Sequence, residues 1–250
     1  MPIRRNILIT GASSGLGRGM ALEFAARGRN LALCARRVDR LEALKSEIAS
    51  RFPGVQVAIR ALDVTDYDRI PIVFAELSAE LKGLDRVIVN AGIGKGAPVG
   101  TGMFRANRLT AETNFVAALA QCEAAIEIFR AQRAGHLVTI ASVAAIRGLP
   151  RAQTVYAATK AGLASLTEGI RGDVWATPIR VTALYPGYIE SEISSGSRRR
   201  PFMVDTATGC HALVRAIETE RPSAFIPGWP WAPIALLMRH LPLGWLLRLL

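Results

Sequence analysis

Tyr156 and Lys160, four residues apart, are the side chains in this sequence best placed to do chemistry. Four residues is about one helical turn, so both point to one face of a helix predicted over residues 155–175. A free phenol has a pKa of about 10, and a neighbouring ammonium favours the phenolate. Such a pair can give a proton to an oxygen or take one back. With 4 tyrosines and 4 lysines in 250 residues, chance supplies only about 0.06 pairs at this spacing, so coincidence explains it poorly. Ser142 ends the strand-like run 137–141, where its hydroxyl can orient and polarise a substrate oxygen.

A second constellation can hold phosphate. Thr10-Gly11-Ala12-Ser13-Ser14-Gly15-Leu16-Gly17 follows an apolar run at 6–10. It opens a stretch with apolar residues at helical spacing, Leu16, Met20 and Phe24. Glycines between strand and helix let the backbone approach a pyrophosphate, which the helix N-terminus attracts. The next strand ends in Cys34-Ala35-Arg36-Arg37, with no acid before Asp39. An acid there would bind a ribose 2′-hydroxyl and repel a 2′-phosphate, whereas guanidinium groups bind phosphate. Arg36 and Arg37 therefore favour a 2′-phosphorylated cofactor, NADP(H).

These groups need a frame to hold them. Strand-like runs at 6–10, 30–35, 55–61, 86–90, 136–141 and 180–185 alternate with helical patterns at 16–27, 41–52, 67–81, 109–130, 155–175 and 204–220. Alternation of this kind predicts an α/β protein with a Rossmann-type, doubly wound parallel sheet covered on both faces. No internal repeat or low-complexity linker divides it. One domain is expected over 1–228, followed by an apolar C-terminal tail, 229–250.

In order along the chain, the Gly11/Gly15/Gly17 turn, Asn90-Ala91-Gly92, Ser142, Tyr156-Ala157-Ala158-Thr159-Lys160 and Pro186-Gly187 resemble the short-chain dehydrogenase/reductase family. The resemblance covers about residues 5–190. It implies an oxidoreductase moving hydride between nicotinamide and a carbonyl/secondary alcohol pair. Ser142, Tyr156, Lys160 and Asn114 would be its catalytic set, with Lys160 also holding the nicotinamide ribose and Asn114 bending a helix. Gly11, Ser13, Ser14, Gly15, Leu16 and Gly17 would hold the pyrophosphate, and Asp63 and Val64 the adenine. Arg36 stands where NADP-using members carry arginine. Asn90, Ala91 and Gly92 would border the cofactor and support the sheet. Pro186, Gly187 and Ile189 would close over it, with 188–205 as a substrate lid. The helices 109–130 and 155–175 would pair with a partner in a homodimer or homotetramer. Two departures stand out: the gap from Ser142 to Tyr156 is one residue longer than in many relatives, and Ala117 stands where they often have glycine.

Composition narrows the remaining choices. The three cysteines, Cys34, Cys122 and Cys210, form no CxxC pair and no metal-ligand spacing with histidine, so no metal is expected. The first apolar run is too short for a secretion signal. A net charge of +11 comes without any nucleic-acid recognition motif, so an anionic cofactor or membrane surface is the expected use. The expected location is cytoplasmic, with peripheral contact at the inner face of the membrane if the tail meets lipid. In the tail, Arg239, His240, Pro242 and Arg248 interrupt the apolar run, which excludes a transmembrane span and leaves an interfacial anchor or a hydrophobic wall. A small, apolar or lipid-like carbonyl is the expected substrate. The competing reading is a membrane-associated nucleotide sensor or scaffold that kept the fold without turnover; intact Ser142, Tyr156 and Lys160 argue against it.

Overall fold

A computed structural model describes residues 3–190 and 201–249. Seven strands form one parallel sheet: β1 (Asn6–Thr10), β2 (Asn30–Ala35), β3 (Val57–Ala61), β4 (Arg86–Val89), β5 (Gly135–Ile140), β6 (Ile179–Pro186) and β7 (Ser223–Ile226). Their order is β3-β2-β1-β4-β5-β6-β7. The strands are nearly continuous apolar runs because both faces are covered. Ile7 and Ile9 pack on α1 (Gly15–Ala25), α2 (Val38–Arg51) and α7 (Thr206–Glu218), through residues such as Phe24, Leu44 and Leu213. Leu8 faces the other layer, built from α3 (Arg69–Leu81), α5 (Ala117–Gln132) and α6 (Thr154–Asp173), through Phe74, Phe129 and Leu163. The expected doubly wound α/β fold is thus present.

Three elements differ from the sequence expectation. The single helix expected over 109–130 is two, α4 (Phe104–Ala111) and α5, joined by a π-turn at Glu112–Val116. β7 was not foreseen; it has only four residues, flanked by Pro222 and Pro227. The tail forms two helices, α8 (Gly228–His240) and α9 (Leu243–Leu249), and it is joined to the body: Trp231, Ala235 and Leu246 are buried. No helix among the described residues is long and apolar enough to cross a membrane.

Opposite the candidate site, the amino ends of the strands carry a buried polar network. Arg4 and Arg86 both reach Glu220, at 2.8 and 3.3 Å. Arg86 Nε donates to His136 Nδ1 at 2.8 Å. His136 Nε2 lies 2.9 Å from the Thr182 hydroxyl, which itself donates to the Arg221 carbonyl. With Nδ1 accepting, the imidazole must carry its proton on Nε2, so the chain of donors runs one way. Burial, and then the nearby Arg86, hold His136 well below its usual pKa.

Candidate active site

Because all seven strands are parallel, their carboxyl ends lie along one edge of the sheet, and the predicted residues collect there. Gly11, just past β1, has φ +66°, which an L side chain rarely adopts. A Cβ on Gly11 would come within 2.9 Å of the Ala91 Cα, and one on Gly17 within 2.4 Å of the Gly11 carbonyl. The turn, the start of α1 and the end of β4 therefore meet backbone to backbone. Thr10 locks the junction: its hydroxyl accepts from the amides of Asn90 (3.0 Å) and Ala91 (3.1 Å), and Asn90 Nδ2 donates to the Thr10 carbonyl (2.9 Å). Asn90 supports the sheet through these bonds. The first turn of α1 has no acidic side chain, and its N-cap Ser14 makes no side-chain capping bond. Such a cradle fits a pyrophosphate.

The two arginines behave differently. Arg37 reaches back over the turn, donating to Ser14 Oγ at 2.7 Å and to Ser13 Oγ at 3.2 Å. Arg36 is exposed and lies 3.9 Å from Asp63 Oδ2. Asp63 spends its other oxygen on Thr65, and Val64 is buried beside it. Arg36, Arg37, Ser13 and Ser14 thus form a cationic, hydroxyl-lined corner at the end of β2, which fits a 2′-phosphate.

At the catalytic side, Ser142 follows β5 and caps a short 3-10 turn, Val143–Ile146, its Oγ accepting from the Ala144 amide at 3.1 Å. A hydroxyl that accepts there keeps its own proton free to donate. Tyr156 and Lys160 share one face of α6, with Lys160 Nζ 6.0 Å from the Tyr156 ring centroid. Lys160 is buried and donates to the Ile140 carbonyl at 2.7 Å. Burial lowers its pKa to about 8. A Cβ on Gly92 would lie 3.1 Å from Asn114 Oδ1 and 3.6 Å from Lys160 Nζ, so these three converge. Asn114 sits inside the π-turn, as such turns often hold functional residues. Its amide brackets Ile93, accepting from the Ile93 amide and donating to the Ile93 carbonyl, each at 2.8 Å. Here it acts as a positioning residue, tying the π-turn to the loop after β4.

Pro186 ends β6 and Gly187 follows it. A Cβ on Gly187 would lie 2.1 Å from the Trp231 indole, which packs edge-on to Tyr188 at 5.1 Å and to Phe202 at 6.3 Å. Ile189 is buried, bridged to Val204, and the Glu190 amide donates to the Val204 carbonyl. The two ends of the expected lid, 188–205, are therefore pinned together; residues 191–200, including the basic run 198–200, lie outside the described residues. Arg147, in the loop after Ser142, donates to the Met238 carbonyl at 3.0 Å and to the Leu241 carbonyl, closing the end of α8. Trp231, Arg147 and Thr10 were missed as site residues. Thr10 opens the glycine motif and could have been found; Trp231 and Arg147 carry no local signal. The three cysteines are buried, and burial raises their thiols to about 12. Among the described residues no group of side chains could hold a metal ion.

Known proteins resemble this chain in sequence and in fold. The family profile for short chain dehydrogenases matches residues 5–201. An uncharacterized oxidoreductase of Mycobacterium tuberculosis is 57% identical over 239 residues, covering 96% of this chain and 94% of the relative. An NADP-dependent 3-hydroxy acid dehydrogenase of Schizosaccharomyces pombe is 34% identical over 192 residues, 76% of this chain and 73% of the relative. In fold, levodione reductase superposes with a TM-score of 0.80 at 24% identity, over 91% of this chain and 98% of that one. An ordered glycine turn, a Ser142–Tyr156–Lys160 edge and a profile match across most of the sequence lead to one conclusion: the chain belongs to the short chain dehydrogenase family of oxidoreductases.

Proposed function

We propose that this oxidoreductase uses NADP(H) to interconvert a carbonyl and a secondary alcohol, with an apolar substrate. The observation that carries the reading is the buried Lys160, fixed to the Ile140 carbonyl beside Tyr156 at the carboxyl edge of the sheet. The glycine turn with Ser13, Ser14 and Leu16 would hold the pyrophosphate, and Arg36 and Arg37 the 2′-phosphate. Asp63 and Val64 would meet the adenine; Asn90, Ala91, Gly92, Lys160, Pro186, Gly187 and Ile189 would line the nicotinamide end. When bound, the cofactor supplies or accepts the hydride. Ser142, with its hydroxyl proton free, donates to the substrate oxygen and orients it. Tyr156 gives that oxygen its proton in reduction and takes one back in oxidation. The Lys160 ammonium favours negative charge on the phenol oxygen during the exchange. The wall formed by Trp231, Tyr188 and Phe202 supports an apolar substrate.

The name of the Schizosaccharomyces pombe relative supports NADP, and the Arg37–Ser13–Ser14 corner supports it independently. The sensor or scaffold alternative receives no support from relatives named as oxidoreductases and dehydrogenases. The test is Tyr156→Phe, which keeps the ring and removes the transferable proton. NADPH binding, read by fluorescence titration, should persist while kcat on a panel of ketones falls roughly 10²-fold or more. Near-normal kcat in that variant refutes the assignment.

A further inference from the structure

The two tail helices bury one side and leave the other bare. On α8, Trp231 and Ala235 are buried, while Trp229, Leu236 and Leu237 are exposed, Trp229 by 80% and Leu236 by 65%. On α9, Leu246 is buried, while Leu243, Trp245 and Leu247 are exposed. So many large apolar side chains on one short segment exceed what a soluble surface carries by scatter. Charge says what covers them. From Arg221 to the end of the sequence there is no aspartate or glutamate, while Arg221, Arg239, His240 and Arg248 are present. Arg239 and Arg248 form no ion pair among the described residues. The rest of the chain adds to a net charge of +11.

We propose that the exposed side of α8 and α9 docks on an anionic lipid surface, the helices lying in the interface and not crossing it. Two helices of 13 and 7 residues, broken at Leu241 and Pro242, are too short to span a bilayer. Tryptophans at both ends of the segment suit the headgroup level, leucines between them suit the acyl boundary, and guanidinium groups suit lipid phosphates. The buried side of the same helix carries Trp231 onto Gly187 and is tied to the Ser142 loop by Arg147. Docking would therefore hold the catalytic edge close to the lipid. The proposal does not depend on the cofactor or reaction proposed above.

The experiment is flotation of the full chain with vesicles of phosphatidylcholine alone, or of phosphatidylcholine mixed with phosphatidylglycerol, at low and high salt. The chain should float with the mixed vesicles at low salt, and less with neutral vesicles or at high salt. Leu236→Gln with Trp245→Gln should abolish flotation. Arg239→Gln with Arg248→Gln, which leaves the apolar side intact, should lower partitioning roughly 30-fold. Circular dichroism of each variant checks folding, and the arginine pair keeps the test open if the apolar pair fails to fold. An intact chain that stays at the bottom of the gradient with anionic vesicles at low salt overturns the proposal. Flotation unchanged by both variants overturns it equally. So does a parent that never floats but loses mass by light scattering in the apolar variant, because a second copy of the chain is then what covers this face.

Discussion

Replacing Lys160 with methionine should make the protein more stable and nearly inactive. Lys160 is buried, and burial holds its pKa at about 8 against an ordinary 10.5. At 1.36 kcal/mol for each pH unit, keeping the charge inside destabilises the fold by about 3 kcal/mol at neutral pH. The sign follows from proton binding. Below pH 8 both folded and unfolded lysine are charged, and the full penalty applies. Between about 8 and 10.5 the folded form has lost its proton while the unfolded form keeps it, so the penalty shrinks as pH rises. Methionine matches the length of the stem and removes the charge, but leaves the Ile140 carbonyl without this donor, which costs about 1–3 kcal/mol. A net gain of about 0–2 kcal/mol remains, worth up to roughly 8 °C in Tm for a chain of this size. Thermal unfolding of parent and Lys160→Met, followed by circular dichroism from pH 7 to 10, measures it. The gap should be widest near pH 7 and close toward pH 10. Turnover should fall roughly 10²-fold, since no charge then stands beside Tyr156. A variant that melts below the parent at pH 7, or a gap that does not change with pH, refutes the reasoning.

Other expectations follow from the same geometry. Arg37→Ser and Arg36→Asp should each weaken NADPH binding by roughly ten- to hundredfold and improve the relative use of NADH, read by titration of both cofactors; a parent that binds NADH as tightly as NADPH counts against this. His136 is held neutral in the fold, so its contribution is intact above its unfolded pKa near 6.5 and is lost as pH falls below it. Unfolding free energies from urea titrations should therefore drop between pH 7 and 5 at up to about 1.4 kcal/mol per pH unit, and values flat with pH would contradict the buried network. The exposed stretches of α5 and α6 are expected to pair with another copy in a homodimer or homotetramer; a monomeric mass by light scattering at micromolar concentration decides against it.

Most of the frame could be read because local pattern and tertiary role agree. β1 and β2 begin and end where the apolar runs do, since strands buried on both faces need no polar alternation to mark them. Tyr156 and Lys160 were legible through spacing alone. Periodicity alone did not show the irregularity in the long helix; the resemblance placed it at Asn114, whose amide brackets Ile93, 21 residues away in sequence. β7, Ser223-Ala224-Phe225-Ile226 between Pro222 and Pro227, lacks the β-branched apolar run that marks the equally short β4. Arg36 and Arg37 were equivalent by type, yet only Arg37 lies across the turn serines, a distinction set by the direction each side chain leaves the end of β2. The tail looked like either a wall or an anchor because one helical segment carries both faces, and only packing separates Trp231 from Trp229.

Strand order also dictates a timetable for the nascent chain. β1 is made first yet lies in the interior of the sheet, between β2 and β4. Its second neighbour comes late: Ile7, Leu8 and Ile9 pair with Arg86, Val87 and Ile88. At about 5–20 residues per second, a ribosome leaves that edge waiting roughly 4–15 s after β1 is made. An apolar strand with an open edge invites pairing between neighbouring nascent chains. Arg4 and Arg5 stand immediately before it, and charges so placed hinder that pairing. Arg4 later pairs with Glu220, a partner 216 residues downstream, so its charge is matched on the folded protein only after that distant residue has been made.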